Sequence, residues 1–264
     1  MSEFRLMLNK AHFLLPLAPL LCGISLEYSG LDMVLIRPFY DGSLHQWTYR
    51  RHWLASGILH TGGRNLVVAA AAAIFVFFIL SFLIKKFQPC RKGTAYLLAA
   101  SLSGPAVVSL CKHTTHIYSP WDLKLFDGIQ PYIRLFDAVP KGAEIGQAFP
   151  AGHSSGGFAF FSLYFLALAY HPSVRYAALF LALLLGFSFG IAQQARGAHF
   201  LSHDFFSLTI CWYCALFTYV GFFQGRSSNR GSGCGRRGVS ARGEGKCGPK
   251  KQLKMASNLS RSFC

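Results

Sequence analysis

Six apolar stretches punctuate the chain, near 11–27, 65–84, 94–111, 152–170, 174–192 and 205–224. Each approaches the ~20 helical residues that cross a hydrocarbon core. The stretch between the first two is different. In HQWTYRRHWLASGILHTGG (45–63) basic and aromatic residues interrupt the apolar ones, as in an amphipathic segment lying in the membrane interface. The pattern predicts an all-α, polytopic membrane protein: a six-helix bundle within 1–224, followed by a polar tail over 225–264.

Composition agrees with the pattern. Hydrophobic residues make up 52% of the chain and charged ones 14%, whereas a soluble domain is usually about 25% charged. The 25 Phe suit lipid-facing helices and interfacial belts. A net charge of +16 would suit nucleic acid, but its location argues otherwise. Ten Lys/Arg lie beyond position 224, against the single acid Glu244, in a Gly- and Ser-rich setting. That tail is expected to be disordered and cytoplasmic, close to anionic lipid headgroups, and nucleic acid is not an expected partner. The eight Cys form neither a metal-ligand set nor a secreted-disulfide framework, and Cys211-x-x-Cys214 reads as helix packing. The first apolar run lacks a clear small-residue cleavage site and is expected to be retained.

Charge orients the bundle. KKFQPCRK (85–92) carries four basic residues and no acid, and the two termini are basic as well. By the positive-inside rule these regions face the cytoplasm, which leaves roughly 28–64, 112–151 and 193–204 outside. In a bacterium that is the periplasmic face of the inner membrane.

Polar chemistry concentrates on this outer face. The 112–151 segment opens with Lys112 and runs through SPWDL to FPAGHSSGG; the 193–204 segment is QQARGAHFLSHD. Phosphoryl transfer needs cations and N–H groups on the phosphate oxygens, a nucleophile in line, and an acid for the leaving alkoxide. Lys112 and Arg196 supply cations. Gly152 and Ser154 sit at a helix start, where free N–H groups favour an anion. His153 is placed as the acid, and His199 or His203 is left to attack phosphorus, oriented by Asp204. His113 and His116 read as rim residues. The other reading of AGHSSGG is close helix packing through Gly152 and Gly156.

These residues resemble the type 2 phosphatidic acid phosphatase superfamily, whose pattern is K-x6-R-P, P-S-G-H and S-R-x5-H-x3-D. The matches are Lys112 with Ser119-Pro120, then Pro150-Ala151-Gly152-His153, then His199 near Asp204. Ser119 and Gln193 stand where the pattern has Arg, and Ala151 where it has Ser; Arg196, one helical turn nearer His199, is expected to supply a guanidinium. The resemblance implies a six-helix bundle and a metal- and cofactor-independent reaction through a phosphohistidine. It makes His199 the nucleophile, Asp204 or His203 its orienting partner, and His153 the acid and later the base. The expected substrate is a lipid phosphate: phosphatidate, phosphatidylglycerophosphate, undecaprenyl pyrophosphate or a lipid A phosphate. Transfer to another acceptor, or a non-catalytic transporter or lipid-binding scaffold, are the rival readings. The basic and aromatic stretch 37–64 serves either a second phosphate or sugar, or interfacial anchoring.

Overall fold

The basic turn Lys85–Cys90 folds two long apolar helices back on each other. In the computed structural model, which describes residues 8–224, α4 (Gly63–Leu83) enters that turn and α5 (Arg91–Lys112) leaves it. Ahead of them come α1 (Lys10–Leu14), α2 (Leu17–Tyr28) and α3 (Leu31–Ile36), with Pro16 separating the first two. A short antiparallel hairpin, β1 (Tyr40–Asp41) with β2 (Gln46–Trp47), and a π-helical segment, Trp53–Gly62, lead into α4. After a long connection follow α6 (Gly152–Phe158), α7 (Phe161–Tyr170), α8 (Arg175–Ala195) and α9 (Leu201–Phe223). The expected tail, 225–264, lies outside the described residues.

Among the described residues five stretches are long and apolar enough to cross a membrane: Lys10–Tyr28, Trp53–Leu83, Lys85–Lys112, Pro172–Ala195 and Leu201–Phe223. The chain is a mostly helical integral membrane protein. The sixth expected span, 152–170, is divided. Between α6 and α7 the bonds tighten: the Phe160 N–H donates to the Gly157 carbonyl and the Ser162 N–H to the Ala159 carbonyl, each at 3.2 Å and three residues back. The 45–63 segment also departs from expectation. Its second half is helical and continuous with α4, giving one 31-residue stretch instead of a separate interfacial element.

α9 is the centre of the bundle, in contact with α2, α5, α6, α7 and α8. Tyr96, Phe158, Phe165, Trp212 and Leu216 belong to the core there. Cys211 packs against α5, where a Cβ on Gly104 would lie 2.8 Å from its Sγ, and both Cys211 and Cys214 are free. Close helix packing does involve the AGHSSGG stretch, but at another glycine than expected. A Cβ on Gly157 would lie 2.4 Å from the Gly186 backbone nitrogen, so α6 and α8 touch backbone to backbone, while Gly156 meets Val67 at an ordinary 3.5 Å.

At one end of the bundle a second cluster (Ile36, Trp47, Tyr118, Leu123, Phe126 and Phe200) forms a cap. The cap also fixes the start of α9. Asp32, buried on α3, accepts the Ser202 N–H at 3.1 Å, an N-terminal cap supplied from a different element. Burial raises the Asp32 pKa, and its hydrogen bonds from Ser202 oppose that rise. α9 thus begins at Leu201, four residues before the apolar stretch does, and takes His203 and Asp204 into its first turn.

Candidate active site

Three helix ends meet beneath this cap: the end of α5 and the starts of α6 and α9. Lys112 closes α5, and a Cβ on Gly152 would stand 3.4 Å from its Nζ. The ammonium therefore rests over the first turn of α6, where backbone N–H groups lack helical acceptors. A cavity of about 500 Å³ opens at this point. Arg64, Lys112, Gly152, His153 and Ser155 line its polar part; Val67, Ile74, Pro105 and Leu163 line the apolar remainder between α4, α5 and α7.

The loop between α8 and α9 is held from two sides. The Trp121 N–H of the SPWDL segment donates to the Gly197 carbonyl at 2.9 Å. Gly197 has φ +80, and a Cβ there would meet the Trp47 ring at 2.3 Å, so this turn accepts only glycine. Arg50 lies 4.7 Å over the Trp121 ring. The first and third sequence motifs, remote in the chain, are joined directly.

His199 lies in this loop and is 5% exposed. Burial, with Lys112 close by, holds its pKa well below the ordinary imidazole value, so the ring is neutral at pH 7. Among the described residues its Nδ1 has no hydrogen-bond partner. The His203 ring stands edge-on, 5.8 Å away between centroids, and its Nδ1 is 3.1 Å from the Ala148 carbonyl.

Two expected site residues point elsewhere. Asp204 accepts a 3.1 Å bond from Gln194 Nε2 on α8, and a Cβ on Gly190 would lie 2.3 Å from its Oδ2. Among the described residues no bond joins Asp204 to His199. The extra residue in the spacing turns the acid about 100° around α9 from His203, towards α8. Ser154 is fully buried, donates to the Ala151 carbonyl at 3.1 Å, and does not line the cavity; Ser155, one residue on, does.

His153 lines the cavity, and His60 stacks beside it with ring centroids 4.0 Å apart. His60 went unmarked in the sequence; the only hint was a polar side chain just ahead of an apolar stretch. Its Nδ1 is 3.1 Å from Gln193 Nε2. Arg196 Nη1 donates to Gln193 Oε1 at 3.0 Å and its Nε to the Arg50 carbonyl at 3.3 Å. Arg196 and Gln193, the displaced guanidinium and the residue in the motif's arginine position, are therefore in contact.

Among the described residues the ion pairs are His45–Asp127 and Arg134–Asp137, so Lys112, Arg64 and Arg196 have no carboxylate partner. Of these, Arg64 and Lys112 line the cavity and Arg196 does not; cations left unpaired in a partly dry pocket attract an anion. His113 is exposed and His116 half-buried, and neither lines the cavity. Asp122 bonds the Trp121 side chain, and burial raises its pKa.

A family model described as the PAP2 superfamily matches residues 93–226, half of the chain, including every residue of the three motifs. No curated protein and no solved structure matches. Members of the matched family are phosphatases, so its chemistry is release of phosphate from a phosphorylated substrate. With Lys112, His153 and His199 gathered beneath one cap and the family match covering all three, the chain belongs to the type 2 phosphatidic acid phosphatase (PAP2) superfamily.

Proposed function

We propose that the protein is an integral-membrane phosphatase that removes phosphate from a lipid headgroup at the outer face of the membrane. The observation that carries this reading is the cavity. Its polar part holds Arg64, Lys112 and His153, and its remainder is apolar and runs between the membrane-length helices α4 and α5. An amphiphile with a phosphate at one end and hydrocarbon at the other fits that division.

Neutral His199 attacks phosphorus with a ring lone pair; the N–P bond forms as the P–O bond to the lipid breaks. Lys112, Arg196, Arg64 and the N–H groups at the start of α6 hold the phosphate oxygens as charge builds. Burial and nearby cations lower the His153 pKa to about 4. The anionic phosphate bound beside it offsets those cations, so the ring takes up a proton with the substrate and passes it to the departing alkoxide. It then accepts a proton from the water that attacks the phosphohistidine, releasing inorganic phosphate and restoring His199. No step requires a metal.

Purified protein offered defined phosphatidate, phosphatidylglycerophosphate, undecaprenyl pyrophosphate and lipid A phosphates tests the reading. Free phosphate is expected from at least one of them, insensitive to chelator. His199→Ala should lower that release by on the order of 10³-fold or more at unchanged expression. Undiminished release from the variant overturns the assignment. A phosphorylated acceptor in place of free phosphate identifies a transferase, and no turnover of any lipid identifies a binding scaffold.

A further inference from the structure

His60 has no part in the steps above, yet the site is built around it. Among the described residues no hydrogen bond reaches a ring nitrogen of His153, and His60 is the aromatic ring packed on it, tilted by 36° at 4.0 Å. The plane in which His153 presents its nitrogens to the cavity is therefore set by the face of His60.

What fixes His60 follows from donor and acceptor chemistry. Arg196 can only donate, so the Gln193 oxygen must face it, at 3.0 Å. The Gln193 NH₂ then faces His60, and Nδ1, at 3.1 Å, must be the acceptor. His60 is thereby held as the Nε2–H tautomer. The chain Arg196–Gln193–His60 has one consistent direction. Arginine at position 193, as in the resembled pattern, could not accept from Arg196 and would break it. The backbone supports the same arrangement: His60 rides on the π-helical segment, which packs on α8, and at Gly63, the first residue of α4 directly after it, a Cβ would lie 2.6 Å from the Phe189 ring. Wide π turns of this kind are frequent at functional sites.

We propose that His60 is a positioning residue for His153, locked by Gln193 and Arg196 and in turn fixing the imidazole that moves the proton. The proposal rests on the assignment of His153 as acid and base. Steady-state kinetics of His60→Ala, His60→Phe, Gln193→Ala and the double variant His60→Phe/Gln193→Ala test it, with His153→Ala alongside, on the lipid phosphate the wild type hydrolyses best. His60→Ala should lower kcat by about 10- to 100-fold with KM changed less than about threefold, the signature of misplaced chemistry and not of weaker binding. His60→Phe keeps the ring face, guards against a folding defect, and should lose less. Its combination with Gln193→Ala should be no worse than the poorer single variant, because both break one chain. Wild-type kcat in His60→Ala, or a double-variant loss equal to the product of the singles, overturns the proposal. An active His153→Ala would instead remove the acid–base assignment, and with it this inference. A wild type that hydrolyses no lipid phosphate has the same consequence.

Discussion

His199 and His203 stand edge to face at the α9 side of the site, 5% and 1% exposed. His153 and His60 pack against each other at the α6 side with their rings tilted by 36°, both half-buried, with His153 on the cavity wall. Two imidazole pairs of the same composition thus sit in opposite surroundings. The sealed pair is largely shielded from bulk solvent, and burial beside Lys112 keeps His199 neutral, with a ring lone pair for the attack. His153 is also held neutral at rest, its pKa lowered to about 4 by burial and the nearby cations. It faces the cavity, however, where a bound phosphate anion raises that pKa and lets the ring act first as acid and then as base. Exposure separates the two duties that residue type alone leaves equivalent.

The sharpest way to break this contrast is within the sealed pair. His203→Ala should lower kcat by about 10²-fold, because the ring beside His199 is lost and the Ala148 carbonyl loses its donor. Asp204→Asn, which can keep the contact with Gln194, should lower kcat less than about tenfold. Equal losses would mean that Asp204 acts on His199 by a route other than a hydrogen bond. Acidity tests the sealing itself. Since the His199 pKa is lowered, the nucleophile stays neutral below the ordinary imidazole value, and the acid limb of kcat/KM should fall below about pH 6.5. A limb at or above that value in the wild type would mean that water reaches the ring. The smallest effect is on stability. Asp32→Ala removes the cap on α9 and should cost about 1–2 kcal/mol, seen as a lower Tm in detergent, with kcat of the folded fraction unchanged. An unaltered Tm would show that the cap does not hold the sealed pair in place.

Much of this was legible in the sequence. Apolar runs at membrane length marked every long helix, and the three polar segments do converge on one end of the bundle. Facing directions were not legible. One residue along a helix is a turn of about 100°, so Ser154 and Ser155, or His203 and Asp204, exchange faces unless the partner helix is known. Gly157 instead of Gly156 makes the backbone contact with Gly186 for the same reason. The π-helical segment was hidden because its residues suit an interfacial helix equally well, and an i→i−5 bonding pattern has no side-chain signature. His60 reaches His153 only through the packing of two helices that separate them in sequence.

The central claim is that His199 carries the phosphoryl group. Wild-type protein mixed with a ³²P-labelled lipid phosphate, quenched in alkali within one turnover and digested for mass spectrometry, tests it most directly. The account predicts label on the His199 imidazole, alkali-stable and acid-labile, and absent in His199→Ala. Label on any other side chain, or hydrolysis at full rate with no labelled protein, would contradict it.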